Sequence, residues 1–583
     1  MPGKAPFFID LHVHSTLNVF NKYDKNFWKY DPPNDKQRSS SMNRLVFSPF
    51  LQAAPSSVSK GKVRIAYITL YPIEQGFFFN LLPDAMKLLQ PDADKPISKF
   101  KKAVEQFLAD KILEPMAKDK AMKWLAAKII FNMDDKRFKE IYDDQHDYFE
   151  DLVKEYTHLI TQLAKGNTWT HKGELFEMRL MESTAQAVQL MADYESSTLT
   201  KNVILLVPTI EGGHSLGLGS RKAIKAIGDK YLNVDHRAEF VSIMEKDVAA
   251  EPRLKALYAE VAKNIDAMKE WRDGRHCPMF ITLNHHFYNM ICGHSMSFAG
   301  FMNKLFDQRT GMGHGMTDFG LKIVAKLLER HPRTGKRILI DCKHMSVDTR
   351  KTYYAFLENY NAAHPNDKVP LISSHTAVNG YKKMEDVITS KSSHEEMDDY
   401  YKLLRDVNGP WSDSTQIPSL RKRFNPWDIG LSDEEIERIA QSRGLIGIIL
   451  DERVSAGVVM NKKVHELSDG ALKEKNELLY KSAWLQPFTE NLLHIFNVLS
   501  TADLPDGYSL FDFVSIGSDF DGMINAVDAY NSCEDYATMQ FVLLKKLREL
   551  QPYSAVLRNV SLEAVIEKVM YRNAYSFLIK NFN

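Results

Sequence analysis

Histidine and carboxylate residues follow several short apolar runs of this sequence, at the points where those runs end. The set comprises His12, His14, Glu211, His285, His344, His375 and Asp519. Imidazole and carboxylate groups without thiolates form the ligand set of catalytic zinc-type sites. His12 and His14 are two positions apart, so on a strand both imidazoles face the same side and can bind one ion. The pattern predicts a metal-dependent catalytic site.

Each of these residues also has an ordinary structural interpretation. A lone histidine such as His344 or His375 is more often packed at a rim than bound to a metal. Glu211 could be a carboxylate at a helix N-terminus, stabilised by the helix dipole, and Asp519 could cap a helix. These interpretations would have to hold together at five strand ends, which favours the metal site.

Eight apolar runs of β type alternate with longer segments of helical periodicity. They cover residues 7–13, 63–71, 202–210, 279–285, 337–344, 369–375, 445–451 and 513–519. Buried parallel strands are typically continuous runs of Val, Ile and Leu, because helices cover both faces of the sheet. Eight such strands with helices between them predict an α/β fold, a (β/α)8 TIM barrel with its active site at the carboxyl ends of the strands.

The chain has 583 residues, whereas a barrel needs roughly 250, so the surplus is expected in large, mainly helical insertions. The largest is a helical insertion at 84–200, and others lie near 220–276, 380–430 and 455–510. The candidate residues extend from position 12 to position 519. We therefore expect one hydrolase barrel over 1–583 rather than several domains.

The charge composition excludes some classes of partner. Lys and Arg number 75 and Asp and Glu number 75, so the formal net charge is zero and gives no overall attraction to nucleic acid or anionic membranes. No apolar stretch has the length of a membrane span or of a signal h-region. The four cysteines contain no CxxC pair, which fits a reducing compartment. These features predict a cytoplasmic protein that binds neither nucleic acid nor membranes.

Six segments together resemble the membrane (renal-type) dipeptidases, metallopeptidase family M19 of the amidohydrolase superfamily. They read LVPTIEGGHSLG, ITLNH, GHGMTDFGLKIVAKLL, LIDCKHMS, PLISSH and SIGSDFDG, and they occur in the family's order. The similarity runs from about residue 7 to MYRNAYSFL near the C-terminus. The long segments between the motifs are not covered.

The resemblance implies roles for individual residues. His12 matches the first metal-binding histidine, and Glu211 matches the carboxylate that bridges two zinc ions. His344 and His375 match the ligands of the second zinc. His285 matches the histidine that binds substrate and stabilises the tetrahedral intermediate. Asp519 matches the catalytic aspartate that handles the proton and the substrate amine.

Two positions depart from the family pattern. The family has His-x-Asp at the first strand, whereas this chain has His12-x-His14; HxH occurs elsewhere in the superfamily, so His14 is still expected to bind metal. The family's substrate-carboxylate arginine follows the sixth-strand histidine, where this chain has Lys382 and Lys383. Arg423, beyond an insertion, is the best placed substitute. Without such an arginine, free dipeptides need not be the substrate.

The resulting prediction is a zinc-dependent, binuclear hydrolase of a dipeptide or related small amide, acting through metal-activated hydroxide. Two zinc ions per chain are expected, although another divalent metal is an alternative. IDLHVHST also resembles the opening motif of PHP-type phosphoesterases, and a non-catalytic metal-binding barrel acting through its insertions is the third alternative. The insertions could restrict the site or form a contact in a homodimer.

Overall fold

The computed structural model describes residues 6–21, 27–28, 50–80, 133–171, 174–199, 202–298, 306–387 and 423–582. Within these ranges the strands, in chain order, are β1 (Phe8–Val13), β2 (Val63–Leu70), β3 (Thr168–His171), β4 (Glu174–Leu180), β5 (Asn202–Glu211), β6 (Phe280–Thr282), β7 (Leu339–Asp341), β8 (Ile372–Thr376), β9 (Leu445–Ile448) and β10 (Val514–Ile516). Eight of them, all except β3 and β4, form the barrel.

The barrel is closed and its eight strands are parallel. Their order is β2, β1, β10, β9, β8, β7, β6 and β5, and β5 returns to β2 along the six pairs from Ile65–Leu205 to Leu70–Ile210. Each of the eight apolar runs contains or overlaps one barrel strand. The predicted (β/α)8 barrel is confirmed.

Burial explains why these runs form strands. All eight residues of β2 and all six of β1 are buried, because the barrel interior covers one face and helices cover the other. Runs of Val, Ile and Leu suit such strands, since both faces of a parallel strand are removed from water. The short strands β6, β7 and β10 have three residues each, all buried.

Helices surround the barrel. The α-helices of the described residues are Leu17–Phe20, Pro55–Lys60, Gly76–Phe79, Asp135–Tyr142, Tyr148–Lys165, Thr184–Glu195, Arg221–Ile227, Arg237–Met244, Pro252–Lys269, Asp318–Leu328, Val347–Ala363, Asp433–Gln441, Glu452–Ser455, Val458–Lys473, Glu477–Trp484, Gln486–Leu499, Tyr536–Leu550, Leu562–Glu567 and Asn573–Asn581. A π-helical turn, Lys568–Arg572, joins the last two. No helix among the described residues is long and apolar enough to cross a membrane.

The predicted insertion at 84–200 contains a β-hairpin as well as helices. β3 pairs antiparallel with β4, and β4 runs parallel to the start of β5 through pairs such as Phe176–Asn202. Phe176, Met178 and Leu180 are buried, whereas Glu177 is half-buried and Arg179 is exposed, so β4 has one covered face. The Glu- and Met-containing sequence favours a helix by composition, and pairing with β5 overrides that preference. Residues 84–132 of this insertion and 388–422 of the one at 380–430 lie outside the described residues.

A buried ion pair joins the helix that follows β7 to the helix that precedes β9. Arg350, in the helix Val347–Ala363, is 1% exposed and donates to Glu435 Oε1 at 2.6 Å. Its Nη1 also donates to the carbonyl oxygens of Met345 and Asp428, at 2.7 and 2.8 Å. The guanidinium therefore fixes the segment beside His344 to the segment before the helix Asp433–Gln441.

We expect Arg350→Met to lower the free energy of unfolding by about 3–5 kcal/mol, because it leaves the Glu435 carboxylate buried without its partner. Urea unfolding followed by circular dichroism measures the change. Arg438→Met is the matched control: that side chain is 35% exposed and pairs with Glu358 and Glu434, so its loss should cost less than about 1 kcal/mol. Equal losses for the two variants would contradict the argument.

Candidate metal centre

Six of the seven candidate residues converge at the carboxyl ends of the barrel strands. His12 and His14 lie on and directly after β1, and Glu211 ends β5. The other three are His344 after β7, His375 on β8 and Asp519 after β10. Their donor atoms form overlapping groups, His12, His14, Glu211 and Asp519 on one side and Glu211, His344 and His375 on the other. Both groups share Glu211.

The two oxygens of Glu211 face different histidine pairs. Oε2 lies 3.0 Å from His14 Nε2 and 3.6 Å from His12 Nε2, and those two nitrogens are 3.0 Å apart. Asp519 Oδ1 completes this side at 3.3 Å from His14 Nε2. Four ligands held tetrahedrally at 2.0–2.1 Å from zinc are separated by roughly 3.3 Å, so these spacings suit one ion.

The second side of Glu211 has the same character. Oε1 lies 3.3 Å from His375 Nε2 and 3.6 Å from His344 Nε2, and the two nitrogens are 3.4 Å apart. Oε1 is buried and makes no hydrogen bond to any described residue. A buried carboxylate oxygen in this state is costly unless a cation or a hydrogen-bond donor pairs with it. Glu211 therefore directs one oxygen to each pair of histidines.

A serine and an aspartate beneath the histidines fix the direction of their rings. Ser374 Oγ is 3.1 Å from His12 Nδ1 and 2.8 Å from His375 Nδ1, and it donates to Asp341 Oδ2 at 2.5 Å. These contacts occupy the Nδ1 atoms and leave both Nε2 atoms for a metal. Such supporting hydrogen bonds are typical of histidine ligands in metal sites.

His285 lies beside the centre and is oriented by a buried carboxylate. Its Nδ1 is 2.8 Å from Glu74 Oε2, and its Nε2 is 3.6 Å from Glu211 Oε2. Tyr71 OH and the Phe287 amide also donate to Glu74, at 3.0 Å each. Burial alone would raise the pKa of Glu74, but His285 first, and then His214 and the Phe287 amide, lower it to about 2. Glu74 therefore stays charged and holds His285 with one edge toward the metal centre.

The electrostatics of the centre favour bound cations. Burial alone would lower the pKa of His14, but Asp519 and Glu211 outweigh burial and raise it to about 10. The same negative field attracts a divalent ion. On the other side, burial lowers the pKa of His344 to about 3 and lowers that of His375 well below its usual value. Neutral imidazoles are the form that binds metal.

Backbone strain is concentrated at two of these residues. His344 has φ 65° and Asp519 has φ 62°, in the left-handed region that side chains other than glycine seldom adopt. Each such residue costs on the order of 1–3 kcal/mol and persists where the surroundings impose it, often at functional sites. From these positions His344 Nε2 lies 3.6 Å from Glu211 Oε1 and Asp519 Oδ1 lies 3.3 Å from His14 Nε2.

Arg423 does not lie with the other predicted residues. Its side chain is 58% exposed and is 3.5 Å from Glu490. Two other cations line the cavity over the metal centre, Lys343 and Arg453. The sequence indicates these two residues only weakly. Lys343 directly precedes His344, and Arg453 is the last residue of the segment Asp-Glu-Arg that comes shortly after β9.

The donor set fits divalent transition-metal ions. Imidazole and carboxylate oxygen are zinc ligands, and Glu211 Oε1 and Asp519 Oδ1 are buried without a hydrogen-bond partner among the described residues. The fold and the site together define a (β/α)8 barrel with a His/carboxylate cluster, suited to bind metal, at the carboxyl ends of its strands.

Searches of family models and of curated proteins found no match to this chain. Several solved structures are similar along their whole length. A metallo peptidase from Rhodobacter sphaeroides, liganded with a phosphinate mimic of the dipeptide L-Ala-D-Ala, is 11% identical with a TM-score of 0.46, covering 100% of both chains. A dipeptidase of metallopeptidase family M19 is 12% identical with a TM-score of 0.44, over 99% of this chain and 98% of its own. An amidohydrolase from Pseudomonas aeruginosa is 11% identical with a TM-score of 0.40, over 99% and 96%.

Proposed function

We propose that this protein is a metal-dependent hydrolase of a small amide, of the dipeptide type. The observation that carries the proposal is Glu211, whose two oxygens each face a pair of histidine Nε2 atoms within 3.6 Å. A carboxylate between two pairs of histidines is suited to bridge two metal ions. This arrangement has no evident role in stabilising the fold. The cluster lies where barrel enzymes place their active sites.

The residues divide between two ions, for which we propose zinc. His12, His14 and Asp519 would hold the first, His344 and His375 the second, and Glu211 would bridge them. A divalent ion supplies Lewis acidity and lowers the pKa of bound water toward neutrality. Ser374 and Asp341 keep the histidine rings in place for this purpose.

Two further residues act on the substrate in this proposal. His285, tied to Glu74 through Nδ1, directs Nε2 into the site and can donate to the carbonyl oxygen as negative charge develops there. Asp519 faces the histidines with Oδ1, which leaves Oδ2 to accept a proton from water and pass it to the leaving nitrogen. The role of His285 and the proton transfer by Asp519 agree with what the family resemblance implies; the substrate amine, which the resemblance also assigns to Asp519, is not part of this proposal.

Metal analysis combined with an amide assay tests the proposal. We expect close to two zinc ions per chain by mass spectrometry, and hydrolysis that is lost on chelation and restored by zinc. A panel of dipeptides and N-acyl amino acids, with p-nitrophenyl phosphate as the comparison, measures activity. Metal well below one ion per chain with no activity gained from zinc would overturn the proposal, as would hydrolysis of the phosphate ester alone.

A further inference from the structure

The cavity above the metal centre contains two cations with unused hydrogen-bonding capacity. Lys343 is 3% exposed, and its Nζ makes no hydrogen bond to any described residue. Arg453 uses Nε and Nη2 for Asp451 and Met523, and Nη1 takes no part in those bonds. A buried ammonium without a partner is costly unless another group arrives to pair with it.

In the proposed function the carboxylates that line the same cavity are committed to the metal ions or to Arg453. Glu211 lies between the two histidine pairs. Asp451 accepts from Arg453 Nε at 3.0 Å and from the Arg453 backbone amide at 2.7 Å. Asp519 faces His12 and His14 with Oδ1. Among the described lining residues the cavity therefore offers cations to a substrate, and the one carboxylate oxygen without an assigned partner is Asp519 Oδ2.

The remaining oxygen of Asp519 has a task that excludes a substrate ammonium. In the proposed reaction this atom takes a proton from water and delivers it to the leaving nitrogen. An ammonium bound to Oδ2 would compete for the lone pair that accepts this proton. His14, which follows the first strand, adds no negative charge that could bind the ammonium instead, since it is a histidine and not a carboxylate.

We propose that the substrate is an anionic amide with an uncharged acyl group, of the N-acyl amino acid class, whose carboxylate binds Lys343 and Arg453. This inference rests on the proposed function. Water adds to the acyl carbon, the carbon–nitrogen bond breaks, and the proton from water goes to the leaving nitrogen. The products are a free carboxylate and an amino acid.

Two matched substrates test the inference directly. Acetyl-alanine and glycyl-alanine differ only in an ammonium group on the acyl carbon chain. We expect kcat/KM to be about tenfold or more higher for acetyl-alanine, because the ammonium of glycyl-alanine finds no free carboxylate. Faster hydrolysis of glycyl-alanine would overturn the inference and leave the proposed hydrolase standing. Failure to hydrolyse any amide, with metal bound, would instead count against the proposed function.

A binding experiment gives a readout that is independent of turnover. Levulinate and 5-aminolevulinate are the non-hydrolysable ketomethylene counterparts of acetylglycine and glycylglycine. Calorimetry on the zinc-loaded protein should give a Kd for levulinate about tenfold or more lower. Equal affinities, or tighter binding of 5-aminolevulinate, would contradict the charge argument.

Lys343→Met separates carboxylate binding from general damage to the site. We expect KM for acetyl-alanine to rise about tenfold or more with a smaller change in kcat, whereas acetyl-alaninamide, which has no carboxylate, should change little. Metal content is measured in the same samples, because His344 is adjacent. Equal losses on both substrates with normal metal content would overturn the assignment of Lys343.

Discussion

Glu211→Gln is expected to lower kcat/KM for the best amide substrate by about 10³- to 10⁴-fold, since a lost metal centre removes several kcal/mol of transition-state stabilisation. The glutamine keeps the shape of the side chain but presents one weak oxygen and an NH2 group to the two histidine pairs. Zinc content should fall well below two ions per chain. Steady-state kinetics and mass spectrometry of the same preparation measure both effects.

Glu155→Gln is the matched control for this substitution. Glu155 is also buried, and it accepts from Thr16 Oγ1 at 2.6 Å and from the Tyr71 amide at 2.8 Å. Burial raises the pKa of Glu155 to about 7, so the site already tolerates a neutral side chain. Metal content and kcat/KM should stay near the wild-type values. If both variants lost zinc equally, the bridging role of Glu211 would be refuted.

Asp341→Asn is expected to weaken zinc binding by about 10- to 100-fold although Asp341 need not touch the ions. Both carboxylate oxygens act only as acceptors: Oδ1 from the amides of Lys343 and Ser374, and Oδ2 from the hydroxyls of Thr282 and Ser374. An asparagine NH2 group would face one of these donor pairs. Ser374 would then turn, and the rings of His12 and His375 would lose their orientation.

Zinc competition with a fluorescent chelator measures this affinity. Thr282→Val is the control, because it removes one 2.6 Å contact to Asp341 and leaves Ser374 in place. We expect its zinc affinity to remain within about threefold of wild type. An unchanged affinity in Asp341→Asn would show that the histidines orient themselves without the aspartate.

The barrel was predictable because its strands are continuous apolar runs, and the cluster was predictable because histidines and carboxylates end those runs. β4 was missed, since its single covered face lies in a segment rich in helix-forming residues. Its partner β5 decides its conformation, and sequence periodicity does not carry that information.

The supporting residues of the site were beyond the reach of the sequence. Glu74 and Ser374 act through hydrogen bonds to residues far away in the chain, such as His285 and His12. The position of Arg453 in the sequence bears no regular spacing to the other site residues. The sequence therefore favoured Arg423 as the arginine that binds the substrate carboxylate. The folded structure places Arg423 beside Glu490 on the surface; its predicted role in substrate binding remains a prediction.

The first and last barrel strands meet beside the cluster, where Ser518 donates to Asp10 across 508 positions of the sequence. His12 is synthesised 507 positions before Asp519. The proposed first metal set is therefore complete only after the last barrel strand has been made. In the proposed function the ions bind after the barrel has closed, and a product truncated before Asp519 would retain His12 and His14 without that carboxylate.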